Sequence, residues 1–82
     1  MLSKLPNIGK ELEHQLNEIG IYNEDSLKQM GSQRAWLMIK KIDTSACYNR
    51  LLALEGAIRN VRKTDLSDED KRKLKDFYLS HK

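Results

Sequence analysis

Apolar positions recur every three or four residues along almost the whole chain, and nowhere do apolar and polar residues alternate strictly for long enough to make a strand. The pattern predicts an all-α fold of five helices. Leu12, Leu16 and Ile19 fall at i, i+4 and i+7, which predicts a first helix from about Gly9 to Ile19, with Glu11, Glu13, Asn17 and Glu18 on its outer face and Gly20 as its stop. Asn23 is positioned to cap a second helix through Met30, with Glu24 and Asp25 in the first turn, where the helix dipole favours anions, and Gly31 beyond its end. Ser32 is read as the cap of a third helix reaching about Lys41, in which Ala35, Ile39 and Ile42 form a stripe that Trp36 widens. Thr44 or Ser45 opens the fourth and longest helix, where Cys47, Leu51, Leu54, Ile58 and Val61 repeat over four turns. Ser67-Asp68-Glu69-Asp70 has the form of a capping box, ahead of a last helix that presents Leu74, Phe77 and Tyr78 and runs to about Leu79.

Short connections imply that neighbouring helices pack closely; the wide stripe of the fourth helix can serve the shorter helices on two sides, which makes it the central one, and Ala53, Gly56 and Ala57 remove bulk from one of its flanks. A glycine inside a helix costs about 1 kcal/mol relative to alanine, so Gly56 calls for a packing reason such as close approach of another backbone. At 82 residues the chain predicts a single domain, 1–82, with one core. A domain this small has little core to give up to a large enclosed substrate cavity, which argues against an enzyme with a small-molecule substrate. Cys47 is the only cysteine, so there is no intrachain disulfide and no cysteine-rich zinc site; that usage suits a reducing, cytoplasmic setting. No apolar run approaches the roughly 20 residues that cross a bilayer, and the N-terminus does not read as a secretory signal, so no membrane partner is expected.

Charge adds one possibility to this picture. Fifteen Lys and Arg against twelve Asp and Glu leave a net charge of +3, compatible with a polyanionic partner. Leu5-Pro6-Asn7-Ile8-Gly9-Lys10 ahead of an amphipathic helix resembles the Gly-apolar-Gly turn of helix-hairpin-helix domains, with Asn7 in place of the first glycine. Asn is among the few residues that adopt positive φ cheaply. Two readings stay open. The turn either presents the amides of Asn7, Ile8 and Gly9 to phosphate oxygens with Lys10 beside them, or merely caps the first helix while Leu5 and Ile8 pack. Farther on, Lys71, Arg72, Lys73 and Lys75 are interleaved with Asp68, Glu69, Asp70 and Asp76 and read as a solvated face, with pairs such as Glu69 to Lys73. Arg59, Arg62 and Lys63 have no acid between them, which makes them the better polyanion candidates.

Other chemistry finds little support. His14 shares a helix face with Glu11 and Glu18, but no second motif of that kind supplies further ligands, so no metal and no cofactor is expected. Cys47 lies on an apolar stripe and reads as a buried, inert thiol. No glycine-rich nucleotide loop occurs. Tyr22, Trp36, Tyr48, Phe77 and Tyr78 fall within or beside apolar stripes and read as packing residues.

Taken in order, Leu5-Pro6-Asn7-Ile8-Gly9, the helix ending Ile19-Gly20-Ile21, Leu52-Ala53-Leu54-Glu55-Gly56-Ala57-Ile58-Arg59, and Asp65-Leu66-Ser67 resemble the C-terminal domain of the TfoX/Sxy competence-regulator family. The resemblance implies an all-helical domain related to helix-hairpin-helix folds, a link to regulation of DNA-uptake genes, and no enzymatic activity. It carries Asn7, Ile8, Gly9 and Lys10 over as contact candidates and Glu55 and Gly56 as fold determinants, Glu55 pairing with Arg59 one turn on. Two functions are expected from the whole. The first is a non-enzymatic module binding DNA weakly and without base specificity through Asn7 to Lys10 with Arg59, Arg62 and Lys63. The alternative is a homodimer, or a domain contacting a transcription regulator, through exposed apolar residues around Trp36, Met38 or Tyr78.

Overall fold

The computed structural model describes residues 2–81, and among them helices are the only regular elements. A 3-10 turn at Leu2–Lys4 leads into α1 (Lys10–Glu18), α2 (Glu24–Met30), α3 (Ser32–Ile42) and α4 (Tyr48–Arg59); a second 3-10 turn, Lys63–Asp65, precedes α5 (Asp68–His81). The all-α expectation holds, and two caps fall where the side-chain chemistry put them. The Asn23 carboxamide accepts the Ser26 N–H at 2.8 Å, and the Ser67 hydroxyl accepts the Asp70 N–H at 3.1 Å.

Boundaries differ where other partners, distant or local, claim the capping groups. Ser32 lies inside α3 and its hydroxyl donates to Glu55 at 2.6 Å, leaving Gly31, at φ +84°, as the cap. Thr44 and Ser45 do not open α4, because the Asp43 carboxylate takes both the N–H and the hydroxyl of Ser45 into a turn of its own. α4 therefore begins at Tyr48, with Cys47 as its cap residue. Cys47 is exposed, contrary to the buried thiol its spacing suggested, since a residue ahead of the helix does not share the phase of the stripe. The other end stops at Arg59, where Asn60 turns left-handed at φ +59° and the Val61 N–H folds back to the Gly56 carbonyl at 2.9 Å. Val61 is thus outside the stripe, and α5, at 14 residues against 12, is the longer helix.

α4 is central, as its wide apolar stripe suggested: it packs against α2, α3, α5 and the second 3-10 turn. Leu51, Leu54 and Ala57 of α4 are wholly buried with Leu16, Ile21, Leu27, Ala35, Trp36 and Ile39. Polar contacts set the orientation of this core. The Trp36 indole donates to the Cys47 carbonyl at 3.1 Å, and the Tyr48 hydroxyl donates to the Lys71 carbonyl at 2.9 Å. Arg50 and buried Gln15 both donate to Asp43 at 2.8 Å, joining α1, the end of α3 and α4. No helix of the described residues is long and apolar enough to cross a membrane.

Candidate nucleic-acid interface

The N-terminal turn is built from Asn7. Leu2 and Ile8 are buried, and the Leu5 N–H closes on the Leu2 carbonyl at 2.9 Å, so the chain must reverse between them. Asn7 makes that reversal at φ +70°, as its place in the motif suggested. Gly9 does not share the requirement. Its φ of −91° and ψ of −175° are open to any residue, a Cβ there would meet nothing within 4 Å, and it serves as the cap of α1 without a side chain to bond the first-turn amides.

The Asn7 side chain then leaves its own segment. Its Nδ2 donates to the Val61 carbonyl at 3.0 Å and, more weakly, to the Ala53 carbonyl at 3.5 Å, while its Oδ1 accepts the Lys63 N–H at 3.0 Å. The turn and the 61–63 segment, separated by more than fifty residues in the chain, are therefore one surface. Gly56 provides the space: a Cβ there would overlap Asn7 Nδ2, stand 2.8 Å from the Val61 carbonyl oxygen and 3.2 Å from the Lys63 nitrogen. The close backbone approach expected at Gly56 is real, and the approaching backbone is a loop and not another helix.

An open groove of about 340 Å³ runs beside this clasp, lined among others by Asn7, Gly9, Leu12, Arg50 and Lys63. Lys10 and Arg62 are exposed and Lys63 is half-buried, and none of the three joins an ion pair among the described residues. Glu11 also lines the groove and opposes an anion there, whereas Glu13 is engaged by the Ser3 N–H at 2.9 Å. Ile8, offered above as a contact, can contribute only backbone because its side chain is core. Arg59 belongs elsewhere: it pairs with Glu55 at 2.5 Å and with Asp70 at 3.1 Å, so acids from α4 and α5 neutralise it although none lies near it in the 59–63 run. The pairing with Glu55 follows the helical spacing; the one with Asp70 comes from packing. Arg50, which sequence reasoning passed over, reaches the groove from α4 while bound to Asp43, and no local pattern links position 50 to position 63.

The alternative contact residues are placed differently from the expectation. Trp36 is fully buried and packs edge-on against Phe77 and Tyr78, with ring centroids 6.0 and 5.7 Å away. Tyr78 is half-buried between Trp36 and Tyr48, and Met38 is half-buried. Among the described residues, Tyr22, Ile42 and Leu79 are the large apolar residues that are exposed. His14 pairs with Glu18 at 2.7 Å on the solvent side of α1, and no three His, Cys, Asp or Glu side chains of the described residues converge as a metal site would need.

Residues 1–78 match the family described as the TfoX C-terminal domain. The chain is 32% identical over 65 residues to Protein Sxy of Escherichia coli (strain K12), an alignment that takes in 79% of this chain and 31% of that protein, so the chain spans about a third of the length of this relative. Two crystal structures of proteins from Listeria monocytogenes are similar throughout. An uncharacterized protein in a triclinic form matches with a TM-score of 0.95 and 46% identity over 96% of this chain and 90% of that one. A protein of unknown function in a tetragonal form matches with a TM-score of 0.97 and 44% identity over the whole of both.

Proposed function

From the premise that this chain belongs to the TfoX C-terminal domain family, we propose that it is a non-enzymatic, cytoplasmic module of competence or transcription regulation that binds the DNA backbone without reading bases. The observation that supports this is the Lys63 N–H on Asn7 Oδ1, a contact across 56 residues of chain that joins the turn bearing Lys10 to the segment bearing Arg62 and Lys63. Neutralising phosphates with about three cations releases about three counterions, and the affinity then falls with a log-log salt slope of roughly −3. Such contacts position a duplex and carry no sequence information.

Anisotropy of a labelled duplex across a salt series tests the reading. Arg62→Ala and Lys63→Ala should each weaken binding to all sequences alike and take about one unit off the slope. A flat salt response, or variants that bind like wild type, would refute it. The alternative of a protein-binding or self-associating face through Trp36 loses that anchor to the core.

A further inference from the structure

We propose that Asn7 is the positioning residue of this surface: its carboxamide, seated in the space Gly56 leaves open, makes the turn and the 61–63 segment act as one phosphate-binding unit. The proposal rests on the DNA-backbone reading above and adds to it a residue that carries no charge. The identity of residue 7 is the first support. A turn at φ +70° is met by glycine at no steric cost, so geometry alone does not call for asparagine. What asparagine adds is a side chain with a donor and an acceptor, and its hydrogen bonds go to residues 53, 61 and 63, outside its own segment. Gly56 is the second support, because a mid-helix glycine is unfavourable, and here it makes room for that carboxamide and for the Val61 carbonyl. Two choices that local backbone geometry does not call for thus converge on a single contact between the segments that hold Lys10, Arg62 and Lys63. Held together, the segments meet neighbouring phosphates in one event; released, each binds with the weaker effective concentration of a tethered partner.

The test compares wild type with Asn7→Gly, which keeps the backbone conformation and removes the clasp, on the same labelled duplex from about 50 to 200 mM salt. Circular dichroism establishes that the variant is folded. The expected result is an affinity at low salt lower by about tenfold, a slope shallower by about one unit, and a Lys63→Ala effect smaller in the Asn7→Gly background than in wild type. A clasp that served stability alone would leave folded Asn7→Gly with the wild-type affinity and slope, and that result overturns the proposal while the DNA-backbone reading stands. A flat salt response of wild type overturns both. If Asn7→Gly does not fold, the wild-type protein still decides: on titration with duplex, the Lys10 and Lys63 amide resonances should shift along one common binding curve, and movement of one segment without the other overturns the proposal.

Discussion

Alanine at position 56 is a sharp test of the packing, because two physical effects of opposite sign meet there. In an exposed helix Gly→Ala gains about 1 kcal/mol from backbone entropy. Here the new methyl would stand 2.8 Å from the Val61 carbonyl oxygen and 3.2 Å from the Lys63 nitrogen, besides overlapping Asn7 Nδ2. Carbon contacts are comfortable near about 3.5 Å, so the loop or the helix must retreat by several tenths of an ångström. The Asn7 amide can rotate away, but the Val61 carbonyl is backbone, held by the same turn that ends α4. Overpacking of this kind costs about 1–3 kcal/mol, and losing the Val61 and Lys63 bonds of Asn7 costs about 1 kcal/mol each. After the helix gain is offset, Gly56→Ala should destabilise the protein by about 2–4 kcal/mol, or roughly 10–30 °C in melting temperature for a domain of this size. Urea unfolding followed by circular dichroism measures it. The double variant Asn7→Gly/Gly56→Ala should cost less than the two single changes together, because the clasp is broken only once. A Gly56→Ala protein as stable as wild type, or more so, would show that the approach of the 61–63 loop is not as close as described.

Three further outcomes are expected. Trp36→Ala should lose about 3–5 kcal/mol in urea unfolding because it empties a fully buried site, and the emission of wild type, whose only tryptophan is Trp36, should be blue-shifted. Hydrogen bonds from the Ser45 hydroxyl first, then from Arg50 and Gln15, hold the Asp43 carboxyl well below the usual carboxylate range. With its native value depressed, Asp43 contributes stability that is fully present above the ordinary aspartate range near about pH 4 and is lost progressively as the pH falls from there through the lower native value, so acid unfolding curves of Asp43→Asn should fall off less steeply than those of wild type below about pH 4. Arg59→Ala should leave duplex affinity and salt slope unchanged, since its guanidinium is already neutralised by Glu55 and Asp70, and should cost at most about 1 kcal/mol of stability because the pair is half exposed.

Local pattern carried much of this molecule. The Leu12 and Leu16 spacing, the Asn23 and Ser67 caps and the positive φ of Asn7 each follow from chemistry confined to a few neighbouring residues, and each is legible for that reason; at Gly56 the cost of a mid-helix glycine is local and signals crowding, while the groups that crowd it are distant in the chain. Reading failed where one group had two possible partners. Ser32 could cap its own helix or reach Glu55, and it reaches Glu55; Ser45 could open α4 or bond Asp43, and it bonds Asp43. Cys47 sits four residues before Leu51 and so falls in phase with the core, yet it precedes the helix and points to solvent.

The candidate surface divides along the same line. Periodicity and turn chemistry determined by themselves that the chain is a bundle of helices with an amide-bearing turn at its start and a run of cations at the end of its fourth helix. Only the tertiary structure decided that Asn7 joins that turn to Val61 and Lys63, and that Asp70 removes Arg59 from the run. The reason is range. Helix phase and caps act over one or two turns of backbone, whereas a hydrogen bond or an ion pair between distant segments exists only after the hydrophobic core has brought them within about 3 Å of each other.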